Sequence, residues 1–528
     1  MKPIALIAAV AFVLVGATLD DPGLTIDEGL NVRPGVVLLR MEAAVGLAAL
    51  SPSQQSELFG QIAHDYPPLG RVWLGLHHEL VTTFREPDTL DSPGGIDVIA
   101  ARWGSATAFG LTILLVGGFA RRWSGDVAGI AAAVAMATTP RLFGHAHFAS
   151  IETILNLVYA GCVLVAADRL AVNATPKRAA ACGALWGLVL LTKIQAVLIP
   201  IPLAAWMFFR HGNRAWKPLA IYAVTGLAVF FIGWPWLWGG PIDRTLAYFG
   251  GDGRVTLFTH YFGQTYADHD VPWHYPFVMF ALTQPVAWLA MGVWGSVAAG
   301  RTRGPRLLLV LAAAAFPLLF FAVPGITVYD GVRLFLVSYP LWAVLVGVGA
   351  DAAWTRLSRS PRLATLRTPL AVAATLPPLV QFLWLAPGWL SHYAIGTGPA
   401  ESLGMETTYW GDSITDDLWA DLTTDRHPGH VFAVAPTLHP FQLTEQSYHL
   451  PSRGYTLVAW DQTDAAPPGE AASQPTDLVI FARRSALAPD SLPRRLLDVP
   501  VGDSLEGWTV RRIIERQGST LTVHATRD

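Results

Sequence analysis

The feature that most constrains the fold of this chain is a succession of apolar stretches, each close to 20 residues, divided by short loops rich in arginine and lysine. A helix rises 1.5 Å per residue, so about 20 apolar residues cross the ~30 Å hydrocarbon core of a bilayer. Such stretches lie near 3–19, 98–120, 127–140, 149–167, 179–193, 194–209, 218–238, 276–298, 306–323, 332–350 and 369–386. The sequence therefore predicts a mainly α protein, a polytopic transmembrane helical bundle of about eleven spans. The pair meeting at Lys193 reads either as two spans or as a re-entrant hairpin. Composition agrees: 52% of residues are hydrophobic and 14% charged, against roughly 25% charged in soluble proteins. The net charge of −3 carries no signature of a nucleic-acid partner. Cys162 and Cys182 both fall in apolar runs and offer no disulfide framework.

Short basic loops stay on the cytoplasmic side. Placing the N-terminus inside puts Arg121/Arg122, Arg169/Lys177/Arg178, Arg210/Arg214/Lys217, Arg301/Arg303/Arg306 and Arg356/Arg359/Arg362/Arg367 there, which with Lys2 make 16 of the 36 basic residues. Opposite lie segment 20–97, with 12 acidic and 4 basic residues, and tail 387–528, with 18 acidic and 10 basic. An inner (plasma) membrane protein with a cytoplasmic N-terminus and a periplasmic or extracellular tail is the expected topology. Lys2, an apolar core and Gly16/Ala17 resemble a signal peptide, read here as an uncleaved signal anchor.

The expected division is a membrane domain over 1–386 and a soluble domain over 387–528. Within the first, the external loop 20–97 is far longer than an ordinary connection. It contains apolar stretches near 35–50 and 70–84 that read as interfacial helices. A second external loop, 239–275, is crowded with Trp, Tyr, His and Asp. In the tail, HVFAVAP, YTLVAW, DLVIFAR and WTVRRIIE read as strands and 412–422 as a helix, a small α/β domain.

Ionisable residues at membrane depth are costly unless they face a cavity, so each is a candidate site. Asp27, Glu28, His64, Asp65, Arg71, Arg141, His145, His147, Glu152, Lys193, His260, Asp268, His269, Asp270, His274, Asp330 and Arg333 all map to the non-cytoplasmic face. A carboxylate in a partly desolvated groove can take a proton from a hydroxyl or amine. Arginine and lysine can hold a phosphate leaving group. Asp27, near a membrane-fixed helix end, suits the first task; Arg71, Arg141, Lys193 and Arg333 suit the second. Each cation reads equally as an interface anchor or the partner of a nearby acid. His145, His147 and Glu152 have the composition of a divalent-cation site, at a spacing poor for one helical face, and polar contacts to substrate are the favoured reading. No other cofactor is expected. Trp273, His274 and Tyr275, in PWHYP, can stack on a sugar ring, whereas Trp234, Trp236 and Trp238 are explained by an aromatic belt.

TIDEGLNV, DYPPLGRVW, PRLFGHAHFASIETIL, LTKIQAVLIP, GWPWLWGGPIDRTLAYF, DHDVPWHYPFVMFALTQP and YDGVRLFLVSYP, in this order over residues 1–350, resemble the membrane glycosyltransferases of the protein O-mannosyltransferase group. That group, glycosyltransferase family 39, is related to the lipid A aminoarabinose transferase and has GT-C architecture. The resemblance implies inverting transfer of a sugar from a polyprenyl-phosphate donor to a protein, glycan or lipid acceptor on the outer face. It implies that the family's catalytic Asp-Glu pair falls on Asp27 and Glu28, and that the family's HPPL-G-K stretch falls on residues 65–71. There Tyr66 stands in place of His and Arg71 in place of Lys, and His64 can supply the displaced imidazole. His64, Asp65, His145, His147, Glu152, Trp273, His274 and Tyr275 are then substrate-binding candidates. The tail stretch GMETTYWGDSITDDL resembles one that follows the last span in bacterial relatives, without assigned chemistry. A polytopic transporter and an envelope assembly protein without transferase activity are the competing classes. A transporter would show inverted repeats and midplane charges, whereas no half-to-half symmetry is visible and the charges gather at one face.

Overall fold

Prolines and short polar caps set the helix starts. Pro3 opens α1 (Lys2–Ala17), Asp97 accepts from the Ala100 N–H to cap α5 (Val98–Ser124), and Thr175 does the same for Arg178 ahead of α9 (Pro176–Leu190). A computed structural model describes residues 1–84, 96–250, 256–302, 304–437, 454–460 and 475–527. Parts of the two external loops, 85–95 and 251–255, lie outside the described residues. All eleven apolar runs are helical. Among the described residues, four stretches are long and apolar enough to cross a membrane: Val98–Ser124, Ile151–Val172, Ile194–Gly233 and Pro361–Trp384. Tyr275–Leu282 and Val286–Arg301 form a pair bent by 118°. Lys2–Ala17, Asp126–Ala137 and Pro305–Phe321 are shorter apolar helices. Eleven helical runs thus do not translate into eleven full-length spans by length and composition alone.

Ion pairs mark both ends of α5. At one end of α5, Arg122 pairs with Asp168 at 3.1 Å and Arg306 reaches the same carboxylate at 3.4 Å. At the other end, Arg102 pairs with Glu28 at 2.7 Å. The 20 positions from Arg102 to Arg122 rise about 30 Å, the thickness of a hydrocarbon core.

Among its described residues, segment 20–97 contains three α-helices, α2 (Ile26–Val45), α3 (Pro52–Ile62) and α4 (Pro68–Thr82). The two expected interfacial stretches fall on α2 and α4; α3 was not foreseen, although Ser51, with its Gln54 partner, forms a capping box there. α2 and α4 touch backbone to backbone: a Cβ on Gly35 would lie 1.9 Å from the Arg71 carbonyl oxygen, so no side chain fits. Glu28 locks the start of α2. It accepts from the Thr25 N–H at 2.8 Å, from Arg102 Nε and Nη2 at 2.7 and 2.9 Å, and from the Ala149 N–H at 2.8 Å. Arg102 also caps the carbonyls of Leu19, Pro22 and Gly23. This pair is fully buried and ties the first external helix to α5.

The helical runs meeting at Lys193 are separated by a break. α9 ends at Leu190, Lys193 is extended (φ −163°, ψ 155°), and a 3₁₀ turn over Ile194–Leu198 leads into the next helix. The unwound carbonyls are used: Leu191 O accepts from the Leu69 N–H at 2.9 Å and Ala196 O from Trp186 Nε1 at 2.9 Å.

After a small hairpin of β1 (Phe258–Tyr261) and β2 (Gln264–Ala267), the remaining strands form one sheet in the tail. These are β3 (Val431–Ala435), β4 (Thr456–Ala459), β5 (Asp477–Phe481), β6 (Ser504–Leu505), β7 (Trp508–Arg516) and β8 (Ser519–Arg527), in the order β4-β3-β5-β8-β7-β6. β4, β3 and β5 are parallel and the rest antiparallel. The four expected strands and the expected helix, at Asp416–Thr423, are all present; β6 and β8 were missed. Phe432 and Val434 pack under the helix with Leu418 and Trp419, while Ala433 and Ala435 face Leu496 and Trp508. With both faces covered, the parallel strands read as continuous apolar runs.

At the start of β5, buried Asp477 accepts from Arg426 at 2.8 Å, His430 at 2.7 Å and His524 at 2.7 Å. Burial alone would push this carboxyl up, but the bonds from His524, Arg426 and His430 overcome it and hold it well below the usual carboxylate range. A depressed folded pKa contributes stability that is complete above the unfolded value of about 3.9 and is lost as pH falls through the folded one. Thermal melts of the purified chain are therefore expected to show Asp477→Asn destabilised by about 2 kcal/mol at pH 7, with the gap from the unsubstituted protein narrowing below about pH 4. Arg102→Met strands a buried carboxylate and is expected to cost about 3–5 kcal/mol. Adding Glu28→Gln to it should recover part of that loss in the same melts.

Candidate active site

Four distant segments deliver one cluster of charge. Thr25 is the N-cap of α2, which places Asp27 in its first turn, where the helix dipole favours a carboxylate. Glu152 occupies the first turn of α8 (Ile151–Val172). Lys193 comes from the break after α9. In YDGVR, Asp330 (φ 54°) and Gly331 (φ 63°) are both left-handed, a combination that Asp-Gly tolerates. The turn they make folds Arg333 back over Asp330.

Arg333 is the hub. Its Nη2 contacts Asp27 Oδ2, its Nε donates to Glu152 Oε1 at 2.6 Å, and its Nη1 donates to Asp330 Oδ2 at 3.0 Å. Lys193 Nζ donates to the same Glu152 oxygen at 2.5 Å. The Trp410 ring lies 4.9 Å from the guanidinium carbon. Glu152, Lys193 and Asp330 are buried, whereas the Asp27 side chain keeps 22% of its exposure. Asp27 is thus the acid of the cluster that keeps the most exposure. Burial pushes its carboxyl above the usual range, with Arg333 pulling the other way and Glu152 and Asp330 adding to the rise.

A second pair flanks the hub. Arg71 grips Asp65 through two hydrogen bonds of 2.7 and 2.8 Å. The Tyr66 ring lies between this arginine, at 5.3 Å, and Lys193, at 5.7 Å. Burial pushes the Tyr66 phenol up to about 12, against the pull of Arg333. At this pKa the phenol remains a neutral hydrogen-bond donor.

The expected residues therefore separate. Asp27, Glu152, Lys193 and Arg333 are in direct contact, and Asp65 and Arg71 join them through Tyr66. Glu28 is next in sequence to Asp27 but is saturated by Thr25, Arg102 and Ala149, so in this structure it holds the helix start. Arg141 turns away, donating to the His392 carbonyl at 3.3 Å and lying over Tyr393; its Nη1 would be 3.6 Å from a Cβ on Gly331, behind the Asp330 turn. His145 meets the Tyr409 hydroxyl at 3.2 Å. His147 has both ring nitrogens occupied, one by the Phe143 carbonyl at 2.8 Å and the other by Thr18 at 2.8 Å. With both His147 nitrogens taken and Glu152 gripped by two cations, His145, His147 and Glu152 are not arranged as a divalent-cation site. Among the described residues no other group of three His, Cys, Asp or Glu is arranged to hold a metal.

His64 is exposed. Trp273 is 62% exposed, and His274 bonds the Tyr261 hydroxyl at 2.8 Å. Tyr275 is buried and donates to the Gly331 carbonyl at 3.3 Å, propping the Asp330 turn. Of the PWHYP residues, it is Tyr275 that reaches the cluster. Tyr66, Trp410 and Arg102 were not read as site residues. Trp410 lies within GMETTYWGD, which the sequence marked as a motif without chemistry. Arg102, an arginine inside the apolar run 98–120, carried the same signal of costly charge but was passed over.

Comparisons with known proteins bear on this arrangement. Residues 94–238 match the family described as dolichyl-phosphate-mannose-protein mannosyltransferase. No curated protein sequence matches the chain. Among solved structures, ArnT from Cupriavidus metallidurans in the apo state is 18% identical, with a TM-score of 0.52 over 98% of this chain and 97% of that one. The same protein bound to undecaprenyl phosphate is 17% identical, with a TM-score of 0.50 over 98% and 97%. The resemblance read from the motifs is borne out: residues 94–238 match that mannosyltransferase family, and the chain as a whole has the fold of the ArnT structures.

Proposed function

We propose that the chain is a membrane glycosyltransferase that moves a sugar, a hexose or a pentose, from a polyprenyl-phosphate donor to an acceptor on the outer face of the plasma membrane, with inversion. The observation that carries this reading is the contact of Arg333 with Asp27, a partly exposed acid on the first external helix, beside Lys193 and Glu152. The ArnT structure holding undecaprenyl phosphate supports the choice of donor class. The basic loops support a cytoplasmic N-terminus and an outer tail, with residues 1–386 as the membrane domain, eleven membrane-associated helical runs, and 387–528 as the outer domain.

In this reading the donor's tail lies in lipid and its phosphate competes with Asp27 for Arg333. Binding therefore frees the carboxylate as it seats the leaving group. Asp27 accepts the proton from an acceptor hydroxyl or amine, and the acceptor atom bonds to the anomeric carbon. The bond from that carbon to the phosphate oxygen breaks in the same displacement, which inverts the centre. Arg333 and Lys193 stabilise the charge left on the phosphate. Arg71, held by Asp65, lies one ring away, and Tyr66 offers a neutral donor. Glu28 and Arg141 support the two walls rather than touching the reacting atoms. Trp273 and His274 line the outer approach together with His64, while His145 and His147 brace the helix that carries Arg141.

Mass spectrometry of lipid co-purifying with the protein is expected to find a polyprenyl phosphate or its glycosylated form; a preparation with neither, and with no affinity for added undecaprenyl phosphate, would sink the reading. Asp27→Asn is expected to lower turnover of the identified donor by about 10²- to 10⁴-fold while leaving expression and undecaprenyl phosphate binding intact. Retention of full turnover would remove Asp27 from the chemistry.

A further inference from the structure

The part of the cluster supplied by residues 1–386 is not balanced by its own charges. Asp27, Glu152 and Asp330 supply three carboxylates, and Arg333 and Lys193 supply two cations. The third cation comes from the tail. Arg483, two residues beyond β5, brings its Nη2 to 3.0 Å from Asp330 Oδ1, opposite the oxygen that Arg333 holds. Both side chains are almost fully buried, at 6% and 5% exposure. Arg483 Nη1 donates to the Tyr409 carbonyl at 2.6 Å, and the next two N–H groups, of Arg484 and Ser485, donate to Glu406 at 2.6 and 3.0 Å. The turn after β5 therefore clamps the segment that carries Trp410 over Arg333.

We propose that Arg483, supplied by the C-terminal sheet domain, is a positioning residue of the phosphate site, neutralising Asp330 so that Arg333 stays available to a lipid phosphate. The proposal rests on the reading of that site as the donor-phosphate site. The physical argument is one of competition. Asp330 holds one edge of the Arg333 guanidinium, and a carboxylate without a second partner would bind it more strongly. Removing Arg483 also leaves the cluster with three acids against two cations, so an arriving phosphate meets net negative charge in a desolvated place where Coulomb forces are weakly screened. A tail that merely covered the membrane domain would not need a buried arginine aimed at the carboxylate beside the hub.

The test compares two probes on the purified full-length chain in detergent: undecaprenyl phosphate, and undecaprenol, which has the same tail without the charge. Arg483→Met is expected to weaken undecaprenyl phosphate on the order of tenfold and to leave undecaprenol unchanged. Arg483→Lys, which keeps the charge, should regain most of the loss. In an Asp330→Asn background, Arg483→Met should have no further effect. Equal weakening for both lipids marks a merely structural role and overturns the proposal, as does an Arg483→Met protein with unsubstituted affinity for the phosphate. If Arg483→Met does not fold, Asp330→Asn alone decides: it must bind undecaprenyl phosphate at least as tightly as the unsubstituted chain, and weaker binding overturns the proposal. An unsubstituted protein that fails to prefer the phosphate over the alcohol overturns the phosphate site itself, and this inference with it. A preference of undiminished size in Arg483→Met overturns only the role of Arg483.

Discussion

The organisation of this protein turns on one guanidinium shared among three carboxylates. Arg333 cannot be left alone where it sits, because an unpaired ion at that depth costs several kcal/mol. Each of its partners arrives on a different element: Asp27 on the first external helix, Glu152 at the head of α8, Asp330 on its own turn. The hub therefore acts as a registration mark. Segments more than 300 positions apart in the chain must dock together for the charges to cancel.

Around that mark, the fold separates saturated, buried charge from charge that keeps some exposure. Glu28 and Arg102 are buried and saturated, whereas the neighbouring Asp27 keeps a face to the outside. One turn of helix thus provides a buried anchor and a partly exposed acid from adjacent residues, divided by which way each side chain leaves the helix start. The close backbone contact at Gly35 holds α4 against the same helix, so Arg71 and Tyr66 are fixed relative to Asp27 through the main chain.

Much of this was legible in the sequence, for identifiable reasons. Helical runs, the segregation of charge and the four tail strands follow from hydropathy and periodicity, which are local. Asp27, Glu152, Lys193 and Arg333 stood out because charge near lipid is expensive enough to demand an explanation. What escaped was relational. The capping-box spacing of Thr25 and Glu28 sets Glu28 apart from Asp27, but the arrival of Arg102 from inside an apolar helix, which saturates it, could not be read locally. His147 looked like a ligand until Thr18 and Phe143 occupied its nitrogens. β8 was missed because His524 and flanking threonines dilute its apolar pattern, and they do so because His524 serves Asp477 rather than the core. Span number was the least readable quantity, since the helix ending at Ala137 and the pair bent at 118° have spanning composition without spanning length or straightness.

The interruption at Lys193 carries a lesson for anyone modifying this protein. Its unravelled turn gives up local helical bonding, yet the carbonyls it releases fasten Leu69 and Trp186 and the lysine is turned toward Glu152. Alanine-rich replacements chosen to zip the two rods into one would raise intrinsic helicity while withdrawing the docking points of the outer loop. Greater heat resistance sought at this position would come at the expense of the very geometry that the surrounding helices exist to hold.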